Sequence, residues 1–477
     1  MASDTTAASS PDTSQNNSRA LALLVAGAFF MENLDGTVIT TAVPDIARSF
    51  GVVALDLNIG VSAYLLTLGV FIPISGWVAE RFGARKVFAS ALALFTLASV
   101  LCGMAQGLGE FVLLRALQGI GGAMMVPVGR LVVLKSTPKE KLIGVIATLT
   151  WPALVAPVLG PPLGGFIASY SSWRWIFYLN LPLGLIALLF AWRLVPNHLP
   201  AERRPFDLAG FVYAGGALLA LTWGAEQLSR PDAASGEAAI WFGLGAALSV
   251  LAIRHLRRAA HPLIDLRTLS IKTFAVTIHG GSLFRLAIGA VPFLLPLLFQ
   301  LGFGLNAFHS GMLVLAVFAG NLLMKPATTA ILRRCGFKRV LLVNGAINVA
   351  SLAACALLTP ATPVWLIAFV LFVGGLTRSM QFTAYNTIAF ADMPQERMAA
   401  ANTLFSTAFQ VAMGLGVALG ALGVRLGHWL VTSAGWQAMP AGQFRLAFVL
   451  VALVSLLGMI DSLRLPANAG EHLSRRP

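Results

Sequence analysis

A chain of 477 residues that is 57% hydrophobic and 11% charged, with a mean hydropathy of +0.80, lacks the polar surface that a soluble globule of this length exposes. The net charge of +14 and pI near 10.5 would suggest nucleic acid in a soluble domain. No contiguous basic, aromatic-bearing segment is present, so nucleic-acid binding is not expected. Only helices and closed barrels satisfy every backbone group in lipid. The apolar runs here have the roughly 20-residue length of a membrane-crossing helix rather than the roughly 10-residue alternation of a barrel strand. The expected fold class is an all-α polytopic membrane protein.

Residues 1–18 are Ser/Thr/Ala-rich, contain Asp4 and Asp12, and have no basic n-region, so they read as a disordered tail rather than a signal peptide. Apolar windows then place spans at 20–43, 57–79, 87–106, 110–134, 141–168, 174–195, 208–228 and 238–256. Six more follow at 273–301, 307–331, 339–359, 363–390, 398–430 and 444–465, fourteen in all.

The first span contains FFMENLDGTVITTAVPD (29–45), which puts Glu32 and Asp35 inside an apolar run. An ionised side chain at the bilayer centre costs at least about 3 kcal/mol, so such residues are rare without a function. At i,i+3 they lie about 60° apart on a helix, close enough to face one cavity. Between spans two and three, GWVAERFGARK (76–86) is a short turn that needs the backbone freedom of Gly83, with Glu80, Arg81, Arg85 and Lys86 around it. In span four, Arg115 is followed at helical spacing by Gln118, Gly119 and Gly122, and a buried unpaired arginine requires a carboxylate partner. Span five carries Pro152, Pro157, Pro161 and Pro162 with Gly160, Gly164 and Gly165, a pattern for a kinked, closely packed helix. Spans seven and eight, joined by SRPDAASGEA (229–238), show no functional signature.

In the second half His279 and Arg285 fall in span nine, Lys325 in span ten and Arg378 in span twelve. His279 reads either as a neutral packed histidine or as a proton site. Lys325 lies near enough to a span end to snorkel. Arg378 is embedded in LTRSMQFTAYN (376–386), whose Gln381, Tyr385 and Asn386 suggest a polar lining. The three cysteines, Cys102, Cys335 and Cys355, form no CxxC or Cys/His cluster, so neither disulfides nor a metal site is expected.

Two stretches repeat. AERFGARKV (79–87) matches LRRCGFKRV (332–340), and STPKEK (136–141) matches DMPQER (392–397), at nearly the same offset. Six helices therefore recur, with spans seven and eight inserted between the copies, an arrangement that places a substrate site between the halves near the midplane. The expected organisation is a tail at 1–18, bundles at 19–198 and 263–466, a linker with the inserted pair at 199–262, and a tail at 467–477. Lysines and arginines concentrate in the even-to-odd loops, among them Arg81, Arg85, Lys86, Lys135, Arg333 and Lys338. The opposite loops hold little beyond Arg48, Arg174, Arg230 and Arg425, so both termini are expected in the cytoplasm.

With these motifs in place, residues 20–465 resemble the major facilitator superfamily in its fourteen-span drug:proton antiporter branch (EmrB/QacA-like). The resemblance rests on GWVAERFGARK, on LLRALQGIGGAMMVPVGR (113–130), on APVLGPPLGG (156–165) and on LDGTVITTAVPDI (34–46). WRWIFYLNLPLG (173–184) and FDLAG (206–210) are also similar to that branch, and RALQGIGGAMMVPVGR most resembles its MdtD-type transporters. The first motif holds Glu80 where the family has Asp and Ala84 where it has a basic residue; the span-five motif begins with Ala156 instead of Gly.

The resemblance implies a major facilitator fold of two six-helix bundles plus two central helices, and a proton-coupled antiporter of the bacterial inner membrane exporting drugs by alternating access. Gly76, Glu80, Arg81, Gly83, Arg85 and Lys86 would then form a cytoplasmic lock; the alternative is that they are merely topogenic positive charges, which would need neither a carboxylate nor paired glycines. Pro157, Gly160, Pro161, Gly164 and Gly165 would form a hinge and seal. Spans one and four are neighbours in that fold, which makes Asp35 or Glu32 the partner of Arg115. Glu32, Asp35 and Arg115 are the proton-coupling candidates, and Asp35 is equally a structural partner of Arg115. The candidate cavity comprises Glu32, Gln118, His279, Arg285, Lys325, Arg378, Gln381, Tyr385 and Asn386. Its second-half members are cationic, which points to an anionic, carboxylate-bearing substrate as the alternative; a facilitator without antiport is a further one. The expected partners are a small-molecule substrate, protons and the bilayer, with no cofactor beyond the proton gradient, no metal, and a monomeric state.

Overall fold

The computed structural model describes residues 11–52, 54–196, 205–229, 235–305, 307–433 and 441–471. Among them the chain is helical throughout, with no strand. In chain order the helices are α1 (Pro11–Phe50), α2 (Ala54–Phe71), α3 (Ser75–Phe82), α4 (Ala84–Met104), α5 (Leu108–Ser136) and α6 (Leu142–Tyr170). There follow α7 (Arg174–Tyr178), α8 (Asn180–Leu194), α9 (Leu208–Ser229), α10 (Ser235–Arg258) and α11 (Lys272–Leu297). The last five are α12 (Ala307–Cys335), α13 (Phe337–Leu357), α14 (Val364–Ala391), α15 (Met398–Ser433) and α16 (Gly442–Asp461). Among the described residues thirteen stretches are long and apolar enough to cross a membrane. At the place of the fifth expected span stands α6, whose described apolar pieces are Leu142–Trp151 and Val158–Ala168. Leu185, Ile186 and Leu189 on α8, and Ile240 on α10, project outward, as the surface of a protein solvated by lipid requires.

Two ends depart from expectation. The first helix starts at Pro11 instead of after residue 18, because proline is accommodated in a first turn and nothing between it and the apolar span breaks the helix. Beyond α16 the chain does not leave as a tail at once: Leu465 and Ala469 are buried, and Gly470, at φ 68°, packs against Phe337 and Ile388.

The internal repeat is visible in the backbone. Gly83 and Gly336 both take positive φ (88° and 75°) between two helices. The Gly83 N–H donates to Ala79 O and the Gly336 N–H to Leu332 O, the same bond in each copy. The second pair of stretches forms matching 3₁₀ turns, Lys139–Lys141 and Gln395–Arg397, each following a proline.

Packing distinguishes the two ends of the molecule. At the end bearing the basic loops one continuous core joins both halves, with Val25, Phe88 and Leu131 in contact with a cluster that includes Phe337, Phe390 and Phe405. At the opposite end each half has its own core, one around Leu34, Phe111 and Phe177, the other around Leu298, Phe299 and Phe448. Among the described residues the halves therefore share one core at the basic end and have separate cores at the other.

The inserted pair α9–α10 lies along the seam. Phe211 of α9 stacks on Phe71 of α2 (5.7 Å) and Phe206 on Trp77 (4.8 Å), while Gly414 of α15 faces Thr222. Asp207 fastens it: the carboxylate accepts from Gly210 N (2.8 Å) and Leu263 N (3.0 Å) and meets His255 Nε2 at 2.7 Å. Burial pushes this carboxyl up, but the two backbone donors and His255 outweigh it and hold Asp207 below the usual carboxylate range. A lowered folded-state value means the clasp is fully present above about pH 4 and is lost only as pH falls through that lower value. Asp207→Ala is therefore expected to raise hydrogen exchange at Leu263 about tenfold at neutral pH. Unchanged protection there would show that the linker is held by other contacts.

Candidate functional site

Between the halves lies a cavity of about 430 Å³, within the range of small-molecule sites. From the first half α1 contributes Phe29, Glu32, Asn33 and Thr37, α2 contributes Tyr64 and Leu68, and α5 contributes Val126, Pro127 and Arg130. From the second half come Phe318, Asn321 and Lys325 on α12, Arg378, Phe382 and Asn386 on α14, and Ser406, Phe409 and Gln410 on α15. Its floor, toward the basic end, is closed by contacts between halves. Asn402 Nδ2 donates to Pro127 O (2.9 Å), and Lys325 Nζ donates to Thr150 Oγ1 (2.8 Å) on α6.

The two carboxylates of α1 have opposite surroundings. Asp35 is buried behind the wall and accepts from Arg115 Nη1 (2.6 Å), Gln118 Nε2 (2.8 Å) and Asn180 Nδ2 (3.1 Å). Arg115 also lies over the Tyr64 ring at 4.3 Å and donates to Gln118 Oε1 at 2.6 Å. Asn180 in turn donates to Ser99, which donates to Phe177 O, so α1, α4, α5, α7 and α8 are knotted around one carboxylate. Glu32 lines the cavity instead. Its Oε2 is buried and has no hydrogen-bond partner among the described residues, and it lies against the face of Gly122.

Helical spacing decides which second-half residues reach the cavity. On α14, Arg378, Phe382 and Asn386 recur every fourth residue on the lining face. Gln381 and Tyr385 lie one step round the helix, away from it: Gln381 Nε2 donates to Leu341 O (3.1 Å) and Tyr385 Oη to Gly458 O (3.2 Å). Both, with Gln118, leave the expected cavity lining and become packing groups. Arg285 is likewise behind the wall, donating to Asn386 Oδ1 (3.1 Å) and Thr277 O (3.3 Å), with its guanidinium over Phe405 (4.8 Å) and Phe409 (5.4 Å). His279, six residues away on the same helix, is exposed on the outer surface and takes no part. Lys325 does not snorkel; it is 7% exposed and held by Thr150 and by Thr383 (3.0 Å).

The loop element behaves as a joint between helices. A Cβ at Gly76 would collide with Thr403 of α15, so that glycine lets the halves touch. Arg85 Nε donates to Val195 O (2.5 Å), capping α8 within its own half. Glu80 opens into a cleft of about 330 Å³ shared with Glu396 and the first turn of α15, Arg81 is half-buried and Lys86 is exposed. In α6, Gly160 allows α1 to approach: a Cβ there would strike Thr37. Gly164 is buried, and Gly165 faces open space. The side chains of Pro157 and Pro161 lie outside the described residues.

Arg130 and Asn180 were not singled out from the sequence, although each had a signal. Arg130 stands fifteen residues after Arg115, about 60° round the helix and so on nearly the same side. Asn180 interrupts an apolar span.

The family model described as Major Facilitator Superfamily matches residues 25–417. The MdtD protein of Pectobacterium carotovorum subsp. carotovorum (strain PC1), whose name assigns it provisionally to multidrug resistance, is 37% identical over 447 residues, 93% of each chain. MdtD of Escherichia fergusonii is 35% identical over 466 residues, covering 95% of this chain and 96% of its own. Among solved structures, the proton:xylose symporter XylE superposes with a TM-score of 0.66 at 15% identity, covering 96% of this chain and 98% of that one. The human organic anion transporter TETRAN gives 0.62 at 15% identity, covering 95% and 100%. At that identity the two structures speak for the fold alone.

Proposed function

This chain belongs to the Major Facilitator Superfamily and is a multi-pass membrane transporter, and on that premise we propose that it exports small molecules in exchange for protons by alternating access. The carrying observation is Glu32, a carboxylate in the cavity wall whose buried Oε2 has no hydrogen-bond partner among the described residues, beside Asp35, whose carboxylate already has three donors. Glu32 takes up and gives back the proton. Asp35, Arg115 and Gln118 hold α1 and α5 in register. The shared core at the basic end and the separate cores at the other support a cavity facing away from the basic loops. With those loops cytoplasmic, this is the outward-facing state of an inner-membrane protein with both termini inside. Gly76 against Thr403, with Glu80 near the first turn of α15, serves as the lock of that state.

The cavity's charge favours a second reading of the cargo. Arg130, Lys325 and Arg378 line it against Glu32 alone among the described acids, and guanidinium forks suit carboxylates. An organic acid beside Glu32 would hold the proton on rather than displace it. Its export would then follow the interior-negative potential, about 2.3 kcal/mol per charge per 100 mV, instead of a proton exchange. Proteoliposomes separate the readings. Antiport predicts that an imposed pH gradient drives a lipophilic cationic drug uphill at zero potential. Transport of aromatic acids that follows the potential and ignores the pH gradient would replace antiport with the second reading.

A further inference from the structure

Arg130 closes the quoted span-four stretch LLRALQGIGGAMMVPVGR, and the structure places it at the junction of the two halves. Its guanidinium lies over Phe29 of α1 at 5.4 Å and over Phe405 of α15 at 5.1 Å, one ring from each half. Among the described residues no carboxylate lies within ion-pair distance of it, whereas Arg115 of the same helix meets Asp35 at 2.6 Å. Glu32, one turn along α1 from Phe29, lines the same cavity and is equally unpaired. An arginine and a carboxylate of the same half thus stand as neighbours without meeting, and the arginine is held by a ring of the other half.

That ring is firmly set. Phe405 is fully buried, stacks on Phe390 (5.3 Å), and carries Arg285 over it at 4.8 Å. Close by on each helix, Asn402 of α15 donates to Pro127 O of α5. The contact that seals the floor of the cavity is therefore the contact that brings Phe405 to Arg130. When the halves part at the basic end, α15 leaves α5 and takes Phe405 with it, while Glu32, Phe29 and Arg130 remain in one half. A guanidinium that has lost half its aromatic clamp has one carboxylate within reach in that half, since Asp35 is already taken.

We propose that Arg130 is a conformation-dependent counter-ion for Glu32, withheld by Phe405 while the basic end is sealed and released onto Glu32 when that end opens, so that opening itself expels the proton there. An adjacent guanidinium favours the ionised form of a carboxylate. The other charged or titratable groups facing Glu32 are Asp35 on its own helix, Tyr64 on α2, and Lys325 and Arg378 across the cavity. None of these is handed from one half to the other by the α5–α15 contact. The proposal rests on the reading of Glu32 as the proton carrier.

The test is infrared titration of buried carboxylic acids in the purified full-length protein in lipid nanodiscs, with Glu32→Gln identifying the band. Arg130→Gln is expected to raise the pH at which Glu32 loses its proton by about one unit or more, and Arg130→Lys to restore most of it. Phe405→Leu, which frees Arg130 early, is expected to shift that pH downward, and Phe405→Tyr to leave it near wild type. The arginine and phenylalanine variants thus move it in opposite directions, which a general loss of packing does not produce. A Glu32 band that Arg130→Gln leaves in place, or that Phe405→Leu and Arg130→Gln move the same way, overturns the proposal. Absence of any titrating band lost in Glu32→Gln overturns instead the premise that Glu32 carries the proton.

Discussion

Glu32→Gln is expected to yield a folded protein that binds its cargo and moves no protons. Glutamine keeps the shape and hydrogen-bonding reach of the carboxylate and removes the titration. Because Oε2 of Glu32 has no partner among the described residues, no ion pair or hydrogen bond to that oxygen is broken by the change, and thermal stability should remain within about 0.5 kcal/mol of wild type. Proton release on addition of a cationic drug in weakly buffered detergent should fall to the baseline of protein without drug. Gradient-driven uptake into inverted vesicles should fall with it. A variant that still releases protons would move the coupling site to another group. Asp35→Asn serves as the contrast, since there a loss of transport would arrive together with a loss of stability.

The second large effect concerns that buried pair. Removing one partner leaves an uncompensated charge in a site from which water is excluded, at a cost of about 3–5 kcal/mol. Arg115→Leu and Asp35→Leu should each lower the unfolding temperature sharply, or prevent recovery of monodisperse protein. The double replacement should be less damaging than either single change, because apolar residues of similar volume substitute for a buried ion pair at little net cost. The recovery will be incomplete. Gln118 and Asn180 lose their acceptor on Asp35, and two amides then stand in the core without it. Equal damage from the single and double replacements would show that the network, and not the charge pair, determines the stability.

The contrast between neighbours three residues apart marks how far the chain can be read without its fold. Membrane class, the helical spans, the six-helix repeat and the family followed from the sequence because they depend on quantities local to it: hydropathy over about 20 residues, and text recurring at a nearly constant offset. The pairing of Arg115 with a carboxylate of the first span was also legible, since a buried arginine must have a partner and the resemblance made spans one and four neighbours. Which second-half residues line the cavity was not legible. Arg378, Gln381, Tyr385 and Asn386 share one polar stretch, yet only the first and last face the cavity, because the helix turns each successive residue by about 100°. His279 was misplaced for the same reason, its exposed face being invisible to hydropathy.

By itself, then, the sequence determined that this is a helical membrane transporter of known architecture with two carboxylates in its first span. It did so because lipid imposes a length and a composition on every crossing segment. Only the tertiary structure decided that Asp35 is saturated by three donors while the buried oxygen of Glu32 has none among the described residues, and that Arg130 of one half is held by a phenylalanine of the other. Those distinctions arise from side chains brought together from helices tens to hundreds of residues apart. Their energies depend on mutual distance and burial, which no local pattern encodes.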